Sequence, residues 1–206
     1  MTNEEKWLDW AMELQSLAQA GLFYGKDIYD KERYQRIRDI SAEMLAQTSE
    51  LPTETVKSLF CNEVGYQTPK LDTRAAIFQD GKILLVEENN GTWALPGGWV
   101  DLFESIKSNT EKEVREEAGL DVRATKLIAV QDRDKHNLPR YAYGICKVFV
   151  LCELLGGSFQ ENSETVGYDW FDLDHLPRLA EEKNTRAQIE MCFDAHRAEH
   201  WDTVFD

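Results

Sequence analysis

The chain has 206 residues, of which 38 are acidic and 23 are basic, so its formal charge near neutral pH is −15. Nucleic-acid binding through a protein surface depends on Lys and Arg neutralising phosphates, and this charge therefore disfavours specific DNA binding. A hydrophobic share of 42% supports a folded core, whereas no apolar run approaches the roughly 20 residues that a membrane-spanning helix needs.

Three helices are predicted in the first 60 residues. Apolar side chains recur every three or four positions in residues 3–17, which is the period of an amphipathic helix. A second helix is predicted over residues 30–47 and a third over residues 53–60, with Thr53 as its N-terminal cap. The predicted apolar stripes comprise Trp7, Trp10, Ala11, Leu14, Leu17 and Ala18, then Tyr34, Ile37, Ile40, Met44 and Leu45, then Val56, Leu59 and Phe60.

These apolar stripes need a partner surface. The helical unit packs either against a second copy, which would make the protein a homodimer, or against the remainder of its own chain. Gly65 and Pro69 then interrupt the periodicity, so residues 62–70 are predicted as a linker. We therefore expect a helical domain over residues 1–66 and a second domain over residues 67–206.

The second domain has the pattern of an α/β fold. Strands are predicted at residues 73–78 and 83–86, joined by a hairpin turn at Asp80-Gly81. Further strands are predicted at residues 126–132, 141–154 and 168–171. Helices are predicted at residues 174–179 and 184–196, the latter with Asn184 as its N-cap.

The N-terminal residues and the cysteine spacing both carry information about the cellular compartment of the protein. The first residues, MTNEEKWLDW, lack the basic and apolar regions of a secretory signal, which predicts a cytoplasmic protein. The cysteines at positions 61, 146, 152 and 192 show neither a CxxC pair nor zinc-like spacing, so we expect reduced, packed thiols.

A predicted helix ending at Gly119 carries three glutamates on one face. Glu113, Glu116 and Glu117 stand at positions i, i+3 and i+4, which brings their carboxylates together. A divalent cation such as Mg²⁺ or Mn²⁺ would relieve their mutual repulsion, although a solvated helix face can show the same spacing. The preceding Gly97-Gly98 pair favours the metal, because its backbone can approach a ligand or offer a carbonyl oxygen.

Together these residues resemble the box of the Nudix hydrolases, G-x5-E-x7-R-E-U-x-E-E-x-G-U, in which U is a bulky aliphatic residue. The positions in register are Gly98, Glu104, Glu113, Val114, Glu116, Glu117, Gly119 and Leu120, while Lys112 stands where the family has Arg. Lysine keeps the charge but loses the bidentate fork of arginine. The resemblance implies an α/β/α sandwich around a mixed sheet, preceded by the small all-helical domain.

The resemblance also implies an activity. Nudix hydrolases of this kind cleave a nucleoside diphosphate linked to another group, and the N-terminal helices make the chain similar to bacterial CDP-choline pyrophosphatases. CDP-choline is therefore the expected substrate and ADP-ribose the alternative. A Nudix-like ligand sensor without turnover is the competing function, which the retained glutamates disfavour.

Roles for individual residues follow from the resemblance. The implied metal ligands are Glu113, Glu116, Glu117 and the carbonyl of Gly98. The general base is Glu113 or Glu164, the latter in the loop of residues 161–164, where an ordinary exposed acid is the alternative. Glu104 is expected to brace the helix start through Lys112. Expected substrate contacts are Asp132 and His136, in a D-x-x-x-H pattern, and Arg74; a surface histidine and a cross-strand ion pair are the alternatives.

Overall fold

A computed structural model of the chain describes residues 3–49, 51–159 and 165–206. The chain divides into two compact units, Met1–Pro69 with Tyr141–Tyr143, and Lys70–Arg140 with Gly144–Asp206. Nothing in the sequence pattern anticipates that residues 141–143 belong with the first unit. The domain boundary expected between residues 66 and 67 stays a prediction.

The first unit contains the three predicted helices, α1 (Asn3–Tyr24), α2 (Ile28–Ser49) and α3 (Thr53–Phe60). Its core is built from Ala11, Ala42 and Leu45 of α1 and α2 and from Val56 and Phe60 of α3. Small residues let α1 and α2 approach closely, and this close approach leaves the larger aromatic residues of α1 outside.

Three predicted details of this unit are wrong. Trp7, Trp10 and Leu17 are about half exposed, whereas α1 buries Ala11 and Ala18 of the predicted stripe together with Gln15 and Gln19. Leu59 is 63% exposed, whereas Val56 and Phe60 are buried as expected. The N-cap of α3 is Pro52, which offers no side-chain hydrogen bond, and Thr53 lies inside the helix.

The second unit is built on a seven-stranded mixed sheet. Its strands are β1 (Lys70–Gln79), β2 (Lys82–Glu88), β3 (Trp93–Ala94), β4 (Leu120–Asp132), β5 (Ile145–Gly157), β6 (Thr165–Phe171) and β7 (Val204–Phe205). Their order is β3-β2-β1-β5-β4-β7, with β6 paired to β2. The central pair β1 and β5 is parallel, and β1 is joined to β2 by the predicted hairpin, in which Asp80 and Gly81 both have positive φ.

Helices cover both faces of the sheet. Helix α4 (Ile106–Ala118) packs Val114 and Ala118 against β1 and β5, whereas α6 (Arg186–Arg197) packs Ile189 and Phe193 on the opposite face. A single turn, α5 (Arg133–His136), follows β4. This arrangement confirms the expected α/β/α sandwich after an all-helical N-terminal region.

Two predicted elements near the end of the chain differ. The helix expected at residues 174–179 is only a 3-10 turn, Leu173–His175, because Pro177 cannot donate the hydrogen bond that would continue it. The cap of α6 is Thr185 rather than Asn184, and Thr185 forms a reciprocal capping box with Gln188. Across residues 3–49, 51–159 and 165–206, no helix combines the length and apolarity needed to cross a bilayer.

Candidate active site

Helix α4 is fixed at both ends by local sequence. The hydroxyl oxygen of Ser105 accepts a hydrogen bond from the amide of Ser108, and the amide of Ser105 donates in return to the hydroxyl oxygen of Ser108. At the other end Gly119 adopts a left-handed conformation with φ of 67°, as the sequence predicted. Val114 and Ala118 are fully buried, and the adjacent side of the helix, which carries Glu113 and Glu117, faces the glycine loop.

The glycine loop pairs with the edge of β1 as an extended strand. The amide of Ala75 donates to the carbonyl of Pro96 at 2.8 Å, and the amide of Thr73 donates to the carbonyl of Gly98 at 2.9 Å. Gly97 has a φ of 144°, and a Cβ there would lie 1.9 Å from the Thr73 carbonyl oxygen. Only glycine fits this close approach of two backbones.

Side chains also hold the loop. The amide of Leu95 donates to Asn184 Oδ1 at 2.7 Å, while the carbonyl of Leu95 accepts from Arg74 Nη1 at 3.2 Å. Arg74 is itself held by Asp72, whose two carboxylate oxygens accept from its Nε at 3.0 Å and its Nη2 at 2.8 Å. The loop that carries Gly98 is therefore anchored from both β1 and the segment before α6.

Two box glutamates face this loop. Glu117 is 6% exposed, and its Oε2 accepts a hydrogen bond from the amide of Gly97 at 2.9 Å. Burial raises the pKa of Glu117 to about 7, against the opposing effect of the Arg74 guanidinium. Burial also raises the pKa of Glu113, an effect that the neighbouring Lys112 reduces.

The ammonium group of Lys112 lies among three carboxylates. Its Nζ is 3.0 Å from Glu116 Oε2, 3.1 Å from Asp101 Oδ2 and 3.2 Å from Glu113 Oε1. These partners, first of all the hydrogen-bonded Glu116, raise the pKa of Lys112 and keep it charged. Lys112 therefore joins Glu113, Glu116 and Asp101, and none of these three is the predicted partner, Glu104.

The contact with Asp101 corrects the expectation for Glu104. The ion pairs of Lys112 reach Asp101, Glu113 and Glu116, whereas Glu104 donates its backbone amide to the Asp101 carbonyl at 3.0 Å. The loop between Gly98 and α4 turns so that Asp101, rather than Glu104, points its carboxylate at the ammonium.

The three residues expected to contact the substrate are all engaged with other protein groups. Arg74 is buried and paired with Asp72 two residues away, so the ion-pair alternative describes it better than a phosphate contact, though along one strand rather than across two. His136 Nε2 lies 2.9 Å from Asp206 Oδ2, and the carboxylate of Asp132 caps α5 by accepting from the amide of Asp134. Glu164 lies outside the described residues.

The carboxylate set fits a hard divalent cation. Within the described part of the chain, no three His, Cys, Asp or Glu side chains are already gathered around one metal position. The Lys112 ammonium lies within ion-pair distance of both Glu113 and Glu116. These oxygens already share one positive charge, and a Cβ on Gly98 would lie 2.9 Å from Glu113 Oε2, so glycine keeps that side of the carboxylate accessible.

Sequence reasoning missed four residues that shape the site. Asp101 and Asn109 occupy variable positions of the box, and nothing in the spacing marks them. The sequence pattern predicts only a helix-capping role for Asn184. Lys147, 2% exposed on β5, did have a signal, because strand alternation places it on the same face as Ile145 and Phe149, both buried.

Comparisons with known proteins found matching families for segments of both units. The model of the NUDIX domain matches residues 69–191, and the model described as UDP-X-like, N-terminal oligomerisation domain matches residues 5–60. A Bacillus subtilis (strain 168) protein, provisionally named ADP-ribose pyrophosphatase YjhB, is 40% identical over 204 residues, 98% of each chain.

Two solved structures are also similar. An ADP-ribose pyrophosphatase from Streptococcus suis 89-1591 is 59% identical, with a TM-score of 0.64, and the match covers 68% of this chain and all of that one. A UDP-X diphosphatase is 33% identical, also with a TM-score of 0.64, and the match covers 98% of this chain and all of that one.

Proposed function

The chain belongs to the NUDIX family and is a hydrolase of pyrophosphate bonds, and from this premise we propose that its substrate is a nucleoside diphosphate esterified to a second group. The observation that carries the proposal is the convergence of the Gly97-Gly98 loop with Glu113 and Glu117 on one side of α4. The products are then a nucleoside monophosphate and the phosphorylated second group.

The names of the similar proteins narrow the substrate class but do not agree on the nucleobase. Their names specify ADP-ribose and UDP-X, which share a nucleoside, a diphosphate bridge and a further esterified group. ADP-ribose, the alternative drawn from the sequence, is thus the first candidate, and a UDP-linked compound is the second. CDP-choline stays a prediction from the sequence resemblance, since no similar protein reported above carries that name.

Nudix hydrolases generally use divalent metal ions. We propose that Glu113, Glu116 and Glu117, with the carbonyl of Gly98, hold Mg²⁺ or Mn²⁺ in this chain. The bound ion would neutralise charge on the diphosphate and lower the pKa of the attacking water. The Gly98 carbonyl has a lone pair available for this role, because its hydrogen bond from Thr73 uses only one of two.

The chain's own residues supply positioning and proton transfer. Glu113 is the proposed general base, since it lies beside the glycine loop and a carboxylate there can accept a proton from the attacking water. Glu164 is the second candidate for the base. The pair of Arg74 and Asp72 keeps the loop in place, so the backbone groups that face the substrate are set before it binds.

A substrate panel with two matched variants tests the proposal. Purified protein with Mg²⁺ is assayed on ADP-ribose, UDP-glucose, CDP-choline and ADP, and nucleoside monophosphate is measured by chromatography. We expect turnover of at least one linked nucleotide, and loss of at least a hundredfold in Glu116→Gln with an unchanged circular dichroism spectrum. Glu190→Gln, an exposed glutamate in an i, i+4 pair with Arg186, is the control.

Two results would contradict the proposal. Absence of turnover on every linked nucleotide would remove the substrate class and favour the ligand-sensor alternative. Full activity of Glu116→Gln would remove the proposed metal set.

We also propose that residues 1–66 form a separate domain that joins two copies into a homodimer. The matching domain model is described as an oligomerisation domain, and α1 leaves Trp7, Trp10, Phe23 and Tyr24 about half exposed or more. Light scattering of the full chain should give a dimer, and Trp7→Gln/Trp10→Gln should shift it toward monomer. Phe205→Gln, at an exposed aromatic residue of the second unit, is the control; a wild-type monomer would refute dimerisation.

A further inference from the structure

The three partners of the Lys112 ammonium are not equivalent. Glu113 and Glu116 project from α4 and belong to the proposed metal set, whereas Asp101 comes from the loop between Gly98 and α4 and matches no defined position of the box. Their distances from Nζ differ by only 0.2 Å, from 3.0 to 3.2 Å. One lysine is therefore shared between the metal site and a residue outside it.

Asp101 is held in place by its backbone. Its amide donates to Asn109 Oδ1 at 3.1 Å, and its carbonyl accepts from the amide of Glu104 at 3.0 Å. Asn109 is fully buried, and its Nδ2 donates to Thr73 Oγ1 at 2.9 Å, which ties the loop to β1. The position of Asp101 relative to α4 is thus fixed by the fold rather than by its contact with Lys112.

A divalent cation and the ammonium compete for the same two glutamates. Both carry positive charge, and at separations of a few ångströms their repulsion opposes simultaneous occupancy. A cation bound there therefore weakens the hold of Glu113 and Glu116 on Lys112, because it shares their negative charge. Of the three carboxylates that Lys112 now contacts, Asp101 is the one that stays available to it.

We propose that Asp101 is a positioning residue that retains Lys112 when a divalent cation takes Glu113 and Glu116. In the metal-free protein the ammonium screens the repulsion between the box carboxylates, and in the metal-bound protein Asp101 holds it aside. This proposal rests on the metal set of the proposed function. It predicts that Asp101 strengthens metal binding only while a lysine occupies position 112.

A purely electrostatic role of Asp101, in which its negative charge attracts the cation without acting through Lys112, predicts the opposite result. If Asp101 attracted the cation directly or through its field, its removal would weaken binding most where no lysine neutralises it. The two explanations therefore differ in which background shows the larger effect, and a double-mutant cycle separates them.

The experiment measures Mn²⁺ binding by electron paramagnetic resonance in the full-length wild type, Asp101→Asn, Lys112→Met and the double variant. We expect Asp101→Asn to weaken binding about threefold to tenfold in the wild-type background and less than twofold in the Lys112→Met background. Lys112→Met alone should bind Mn²⁺ more tightly, yet melt at a lower temperature without metal, because the clustered carboxylates lose their counter-ion.

Asp121→Asn is the matched control. Asp121 is an exposed acid of the same unit that pairs with Arg115 at 2.9 Å, and its removal should leave Mn²⁺ binding unchanged. An equal or larger loss from Asp101→Asn in the Lys112→Met background overturns the retention of Lys112 by Asp101. Failure of both the wild type and Lys112→Met to bind Mn²⁺ overturns the metal set itself, so the two failures are distinguishable.

Discussion

Lys147 should make the stability of this protein rise with pH above neutrality. It lies on β5 facing α6, is 2% exposed, donates to the carbonyl of Lys183 and has its Nζ 3.8 Å from Asp72 Oδ2. Burial, reinforced by the nearby Arg74, lowers its pKa from 10.5 to about 7. The folded state therefore binds fewer protons at this group than the unfolded state does between pH 7 and 10.5.

The sign and size follow from proton linkage. The unfolded chain keeps the Lys147 proton up to about pH 10.5, whereas burial disfavours the charged ammonium in the folded protein. The resulting loss of stability is largest below pH 7 and decreases as the pH rises toward 10.5. At about 1.36 kcal/mol per pH unit, a pKa of about 7 in the folded state gives a gain of about 2.5 kcal/mol between pH 7.5 and 9.5. Replacement of Lys147 by Met removes this gain.

The assay is urea unfolding followed by circular dichroism at pH 7.5 and 9.5, at one protein concentration. We expect the free energy of unfolding of the wild type, relative to that of Lys147→Met, to increase by about 2 to 3 kcal/mol between the two pH values. Lys107→Met is the control, because Lys107 is exposed on α4 and pairs with Glu111 at 3.8 Å. Its difference from the wild type should not change with pH.

One result would refute this reasoning. If wild type and Lys147→Met differ by the same amount at both pH values, the folded protein keeps the ammonium charged over this range. The ion pair with Asp72 would then outweigh the burial of Lys147.

Two further predictions concern glycine and cysteine. Gly97→Ala should lower the free energy of unfolding, measured in urea, by more than about 3 kcal/mol, since its Cβ would overlap the Thr73 carbonyl. Gly81→Ala, with open space around it, should lower it by about 1 kcal/mol. Equal losses in the two variants would contradict this prediction. In Ellman titration at pH 8 the native protein should react at two thiols and the urea-unfolded protein at four. The two unreactive thiols are those of Cys152 and Cys192: burial raises the pKa of Cys152 to about 12 and also raises the pKa of Cys192. Cys61 and Cys146 are partly exposed. Fast reaction of all four thiols in the native protein would contradict this prediction.

Local patterns in the sequence predicted most elements of the fold. The hairpin at Asp80-Gly81 and the left-handed end of α4 at Gly119 were both correct, because each depends on a few adjacent residues. Errors appeared where a side chain's burial depends on distant partners. Trp10 follows a helical period, yet the close packing of α1 on α2 buries alanine and leaves this tryptophan half exposed; Leu59 of α3 also follows a helical period and is 63% exposed.

The candidate site shows the same division. Glu113, Glu116 and Glu117 share a helix face because of their spacing alone, which no tertiary contact can alter. Whether Glu104 or Asp101 reaches Lys112 depends on the path of the loop after Gly98, and that path is fixed by hydrogen bonds to β1 and Asn109. Periodicity in sequence carries no information about such a path.

The sequence by itself determined the family, the carboxylate-bearing helix and the reaction on a pyrophosphate bond, because these reside in a short motif whose geometry is helical spacing. Only the tertiary structure decided that Arg74 anchors the glycine loop, that His136 pairs with Asp206, and that Asp101 shares Lys112 with Glu113 and Glu116. Each of these contacts joins residues from different elements or a turn between them, so its existence depends on how the strands are ordered and how the loops close.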